Sequence, residues 1–168
     1  TSKRGDFDGV YVKSIDEHWS AGAWVSASQS TYRNIQLSYS IQPAVEYNFF
    51  PYSESTRRQF RVLYRIGYKY FDYFEETIYD KMSQRLWNEA LSIELEFNQP
   101  WGTAEVGLEG SHYFHDFSKS RLELDAELTV RIIKGLSFDI EANYGILHDQ
   151  LSLAKGDASL EEILLERR

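Results

Sequence analysis

Cysteine is absent from the chain, so no disulfide framework, thiolate metal site or cysteine nucleophile is available to it. Positive charge is scarce as well. Lys and Arg number 18 against 26 Asp and Glu, which leaves a net charge of −8 and an isoelectric point near 5.0. A nucleic-acid groove needs cations to neutralise phosphates, so this balance argues against one. Long apolar runs are missing and mean hydropathy is −0.49, which excludes a transmembrane helix. A transmembrane β-barrel is not excluded, because only every second residue of its strands need be apolar. No glycine loop of phosphate-binding type occurs; Gly107 and Gly110 fall inside a predicted strand, where they relieve crowding.

What the chain has is alternation. From 103 to 114 the even positions Ala104, Val106, Leu108, Gly110, His112 and Phe114 oppose Thr103, Glu105, Gly107, Glu109, Ser111 and Tyr113. From 121 to 132, Leu122, Leu124, Ala126, Leu128, Val130 and Ile132 oppose Arg121, Glu123, Asp125, Glu127, Thr129 and Arg131. From 136 to 144, Leu136, Phe138, Ile140, Ala142 and Tyr144 oppose Ser137, Asp139, Glu141 and Asn143. Successive side chains of a strand point to opposite faces, so each segment has one apolar and one ionised face. Function turns on what meets the apolar face, lipid or a protein core.

Eight strands are expected, near 5–14, 18–29, 35–49, 60–74, 86–98, 102–114, 121–133 and 136–149. The first two alternate poorly, with small residues on both faces around Ser20–Ser28. Pro43 lies on the apolar face of the third and cannot donate to a ladder, so a bulge or break is expected there. Asn98–Gly102 and Lys134–Gly135 read as tight turns. Glu75–Arg85, His115–Ser120 and the segment after Gln150 read as longer loops, with Phe50–Gln59 as an exception to the alternation. Short turns on one rim and long loops on the other are the asymmetry of outer-membrane barrels. Residues 1–168 read as one barrel domain or part of one, with 150–168 a loop. Within it, Ser159–Glu166 carries a capping-box pattern and the spacing of a short amphipathic helix.

Aromatic residues make up 15% of the chain and collect at the strand ends. Tyr47, Phe49, Phe50, Tyr52, Phe60, Phe97 and Trp101 fall at the short-turn ends. Tyr70, Phe71, Tyr73, Phe74, Trp87, Tyr113, Phe114 and Phe117 fall at the other. Barrel strands carry such girdles where they leave the hydrocarbon. On these features the sequence resembles the outer-membrane β-barrel proteins of Gram-negative bacteria. More narrowly, Tyr47-Asn-Phe-Phe-Pro-Tyr-Ser-Glu-Ser-Thr-Arg-Arg58, followed by Tyr64-Arg-Ile-Gly-Tyr68, looks like a segment of uncharacterised barrels of this kind. The resemblance implies an antiparallel up-and-down transmembrane β-barrel in the bacterial outer membrane, in contact with the lipid bilayer and lipopolysaccharide. It implies no transport substrate, enzymatic activity or cofactor. The start at Thr1 without a leader and the end on Glu166-Arg-Arg168 lead us to expect a fragment lacking signal peptide and closing strands.

In that arrangement the polar rows line the interior. Arg61, Arg65 and Lys69 share one face of the fourth strand; Glu94, Glu96, Glu105, Glu109, Glu123, Asp125, Glu127, Asp139 and Glu141 line the next four, with Arg121 and Arg131. Two readings follow: a cation-favouring, water-filled lumen for small hydrophilic solutes, or a closed barrel whose Arg and Glu satisfy one another. His112, His115 and His148 read as interfacial or loop residues rather than metal ligands, since His112 and His115 point to opposite faces of a strand. Ser111 likewise points away from His112, as a nucleophile–base pair could not. The remaining alternatives are a soluble β-barrel binding an apolar ligand and an outer-membrane barrel enzyme.

Overall fold

A computed structural model of the chain describes residues 3–148. The expected loop and helix at 150–168 lie outside the described residues. Eight strands form a single sheet in which each is hydrogen-bonded to its sequence neighbour in antiparallel sense. They are β1 (Arg4–Ser14), β2 (Trp19–Ser30), β3 (Ile35–Asn48), β4 (Arg58–Tyr73), β5 (Ser83–Gln99), β6 (Gly102–Tyr113), β7 (Asp116–Ile133) and β8 (Leu136–Leu147). One short 3-10 turn, Tyr52–Glu54, interrupts the β3–β4 connection. The up-and-down order is therefore as the alternation requires. The sheet is not closed: among the described residues β1 and β8 each pair on one side only.

Among the described residues the rim asymmetry expected from the sequence is absent. One rim, here the lower, carries the connections 15–18, 49–57, 100–101 and 134–135; the upper carries 31–34, 74–82 and 114–115. Each rim thus has a four-residue and a nine-residue connection, with two two-residue turns on the lower rim and one on the upper. The error lies at 115–120, whose polar composition imitates a loop. Those residues instead begin β7, because Phe114 and His115 make a tight turn that pairs Tyr113 with Asp116. A register shift beside His112 absorbs the extra residues. At the lower rim Gly102 has φ +151 and lies so near Thr129 that a Cβ would stand 1.8 Å from its carbonyl oxygen. No other residue type fits there.

Pro43 breaks the ladder without shifting it. Ile41 pairs with Tyr68 and Ala44 with Arg65, in one register, while the two positions between them have no partner on β4. On its other side Pro43 still sits opposite Ala23.

The two faces differ in shape as well as chemistry. On the ionised face, side chains reach over an intervening strand: Arg65 of β4 to Glu109 of β6, and Arg65 to the ring of Trp24 on β2. Ring and polar contacts on the apolar face stay between adjacent strands, as in Tyr39–Tyr70 and Tyr68–Trp87. The ionised face is therefore concave and the apolar face convex. Among the described residues almost nothing covers the convex face. The buried apolar residues are Ile35, Tyr73, Ile78, Leu86, Ala90 and Tyr113, whereas Leu91, Val106, Leu108, Leu122, Leu124, Phe138 and Ile140 are exposed.

The aromatic ends are only partly a belt. At the lower rim Trp19, Tyr47, Phe49 and Phe60 form a continuous chain of rings, with centroids 4.5–5.0 Å apart. At the upper rim Tyr70, Trp87 and Phe117 face outward, but Phe71 and Tyr113 do not. They turn inward and pack with Leu86 and Tyr79. Tyr73 is likewise buried rather than on the outer surface.

Candidate functional site: the ionised concave face

All fourteen charged residues singled out in the sequence lie on the concave face, because strand alternation and pairing register bring them into rows across the sheet. The lowest full row runs Gln59, Glu96, Glu105, Glu127, Glu141 over β4 to β8. Above it come Arg61, Glu94, Gly107, Asp125, Asn143, and then Leu63, Ser92, Glu109, Glu123, Gly145. The next row is Arg65, Ala90, Ser111, Arg121, Leu147, with Lys69 two rows higher on β4. Arg131 and Asp139 lie towards the lower rim, opposite Ser137 and Thr129.

Several charges are matched. Arg61 is ion-paired with Glu94, its direct cross-strand partner. Arg65 holds Glu109, which also accepts the Ser92 hydroxyl at 2.7 Å. Arg121 reaches Glu123 at 3.4 Å. Asp139 accepts the Thr129 hydroxyl at 2.6 Å, Glu141 the Asn143 amide at 2.9 Å, and Glu96 the Gln59 amide at 3.2 Å. The row Glu96–Glu105–Glu127–Glu141 is different: four carboxylates stand side by side, with no ion pair to any of them among the described residues. Like charges directly opposite one another are unfavourable in a sheet, so this row concentrates negative potential. It borders an open cavity of about 380 Å³ that also takes in Arg61, Glu94 and Asp125.

Both long connections fold toward this face. The 49–57 connection brings the Tyr52 hydroxyl to Glu46, at 3.3 Å. The 74–82 connection buries Thr77 and Ile78 and sets Tyr79 against Lys119, whose ammonium donates to its hydroxyl at 2.7 Å. Sequence reasoning missed Trp24 and Lys119 as members of the face. Trp24 was legible in principle, since it is in phase with Ser26 and Ser28, which hydrogen-bond Ser40 and Ser38 across β2 and β3 at 2.8 Å. Lys119 was hidden by the misread start of β7.

The histidines stand apart from the concave face or at its edge. His112 is on the convex side, where Nε2 lies 2.8 Å from Glu89 and the Tyr64 hydroxyl donates to the same carboxylate. Among the described residues no group of three or more His, Asp or Glu is arranged to hold a metal ion. Comparison of the chain with protein-family models, with curated proteins and with solved structures finds no match.

Proposed function

We propose that this chain is an outer-membrane β-barrel or a contiguous part of one, with lipid against the convex face and water against the concave face. A single observation carries the reading. Among the described residues, an eight-stranded sheet leaves its apolar face uncovered while ionised residues line the other. Monomeric soluble proteins rarely expose apolar patches beyond a few hundred Å², so a face of this extent calls for an apolar solvent. The strands are long enough. The shortest, β1, has 11 residues and β7 has 18, where about 9–11 tilted residues cross the hydrocarbon. Lower-rim rings from Trp19 to Phe60 and upper-rim rings from Tyr39 to Phe117 sit where a bilayer's interfaces would fall.

The associated role is porin-like passage of small hydrophilic solutes along the charged face, with cations favoured by the Glu96–Glu141 row. The inward-folded 74–82 connection favours a second version in which the lumen is narrow or closed and the barrel is structural. Nitroxide labels placed one by one along 121–132 in bilayers test the lipid assignment. Even positions should be relaxed by oxygen and odd positions by a water-soluble reagent. The opposite phase, or water access to both, would sink it.

A further inference from the structure

Trp24 stands in a part of the concave face where its neighbours are mostly small and polar. Its cross-strand partners are Val10 on β1 and Gln42 on β3, and the row above it reads Asp8, Ser26, Ser40. A cavity of about 320 Å³ opens beside the ring, lined by Asp8, Trp24, Ser26, Ser40, Gln42 and Arg65. It shares no lining residue with the acidic cavity. We infer that this cavity is a binding site for a pyranose ring of a neutral saccharide, with Trp24 as the stacking surface.

The indole calls for an apolar partner that the protein supplies only in part. Trp24 is half-buried, and the Arg65 guanidinium carbon lies 5.9 Å from its ring centroid, at the outer limit of a cation–π contact. That guanidinium is in any case held by Glu109. The rest of the lining is suited to hydroxyl groups. Ser26 and Ser40 share one hydrogen bond at 2.8 Å, which uses one of their two hydroxyl protons and leaves the other to donate. Gln42 brings an amide with both donor and acceptor capacity, its Nε2 lying 3.4 Å from the Ser40 hydroxyl. The Asp8 carboxylate is exposed and, among the described residues, has no ion pair or hydrogen bond. Both of its oxygens can therefore accept.

A pyranose answers all of these groups together. Its equatorial hydroxyls both donate and accept around the rim, and they leave flat C–H faces that pack on an aromatic ring. A small anion would be repelled by Asp8 and would gain nothing from the indole. An organic cation would meet Arg65 at the same ring. A purely apolar solute would strip water from Asp8 and the serine pair and give no hydrogen bond in return. The volume falls at the small end of the ~300–1,000 Å³ usual for ligand pockets, and at ~30 Å³ per water it holds about ten waters, room for one ring. Ser28 and Ser38, one row further up and hydrogen-bonded to each other at 2.8 Å, continue the hydroxyl floor beyond it. The inference concerns the concave face alone and does not rest on what covers the convex one.

The test uses the full chain refolded in micelles of a detergent without a sugar headgroup. Cellotriose is the probe, and sorbitol, which carries hydroxyls but no ring, is the control. Cellotriose should shift the Trp24 indole N–H resonance saturably, with a Kd of about 1 mM, and sorbitol should not. Trp24→Ala should weaken binding about tenfold or more, read from the Ser26 and Gln42 backbone amides, and Trp24→Phe by less. Asp8→Asn should weaken it about threefold or more. Trp87→Phe, on the convex face, should leave it unchanged. Circular dichroism checks that each variant keeps the sheet; Asp8 is exposed on an edge strand, so its variant serves if Trp24→Ala does not fold. Shifts that never saturate, equal shifts with sorbitol, or binding unaltered in Trp24→Ala or in Asp8→Asn would overturn the site.

Discussion

Asn34 and Glu75 exchange a pair of hydrogen bonds. The Asn34 side-chain amide donates to the Glu75 carbonyl, and the Glu75 N–H donates to Asn34 Oδ1, both at 2.8 Å. A side chain here does what a neighbouring strand does elsewhere, tying the 31–34 and 74–82 connections together at the upper rim. Asn34 also has φ 57, a left-handed conformation that asparagine tolerates. Asn34→Gly should cost about 1–3 kcal/mol through the lost bonds alone. Asn34→Ala should cost a further ~1–2 kcal/mol for left-handed strain. Urea unfolding in micelles, followed by tryptophan fluorescence, gives the order; equal stabilities for the two variants would refute it.

Leu124 lies midway along β7, in the convex row Val62, Ile93, Leu108, Leu124, Tyr144. If lipid covers that row, Leu124→Arg should destabilise by ~2–4 kcal/mol, because a guanidinium at the midplane cannot be hydrated. Ile132→Arg, near the lower rim, should cost ~0–1 kcal/mol. Equal effects at the two positions would argue that the face is not in hydrocarbon.

Glu105 and Glu127 each stand between two other carboxylates. Neutralising either with glutamine should stabilise the sheet by about 0.2–1 kcal/mol at low salt, reversing the usual sense of a point substitution. At 1 M salt the gain should vanish, since the Debye length falls to ~3 Å. In planar bilayers the double variant Glu105→Gln, Glu127→Gln should move the reversal potential in a KCl gradient towards the non-selective value. A parent protein that prefers anions would contradict the acidic lower zone.

Asp16, in the 15–18 turn, accepts the His18 and Trp19 backbone N–H groups, each at 2.8 Å. Those hydrogen bonds hold its carboxyl below the usual range for aspartate. The folded state thus binds this proton more weakly than the unfolded one. The turn's contribution is complete above the unfolded value of about 3.9 and is lost as pH falls through the lower, folded value. A carbon-detected titration should give an Asp16 midpoint below 3.9, with the His18 and Trp19 amide protons shifting in parallel; Asp16→Asn should remove that step.

Much of this was legible where the two faces differ sharply in chemistry. β6, β7 and β8 alternate a mostly apolar row with a row of mostly polar or ionised residues, so strand, phase and face all follow from the period. β2 was harder, because Ala21, Ala23 and Ala27 are scarcely more apolar than Ser20, Ser26 and Ser28 are polar. The errors lie where tertiary position outweighs local composition. Asp116–Ser120 is mostly polar yet opens β7, and Phe71 and Tyr113 are rim aromatics that turn inward to pack with Leu86 of β5 and Tyr79 of the 74–82 connection. The acidic row was visible residue by residue, but that four carboxylates fall in one register depends on turn lengths. The place of Lys119 on the concave face needed the true start of β7.

Nearest-neighbour pairing gives the sheet a rule of parity. Removing one complete hairpin, such as β5 with β6, would leave every later strand running in its original direction and every later turn on its own rim. Removing a single strand would invert everything downstream, exchanging upper for lower turns. A lineage of such sheets can therefore widen or narrow in steps of two without rewriting its remaining strands. The same locality keeps most pairings short-range in the chain, so each hairpin can form before the next is made.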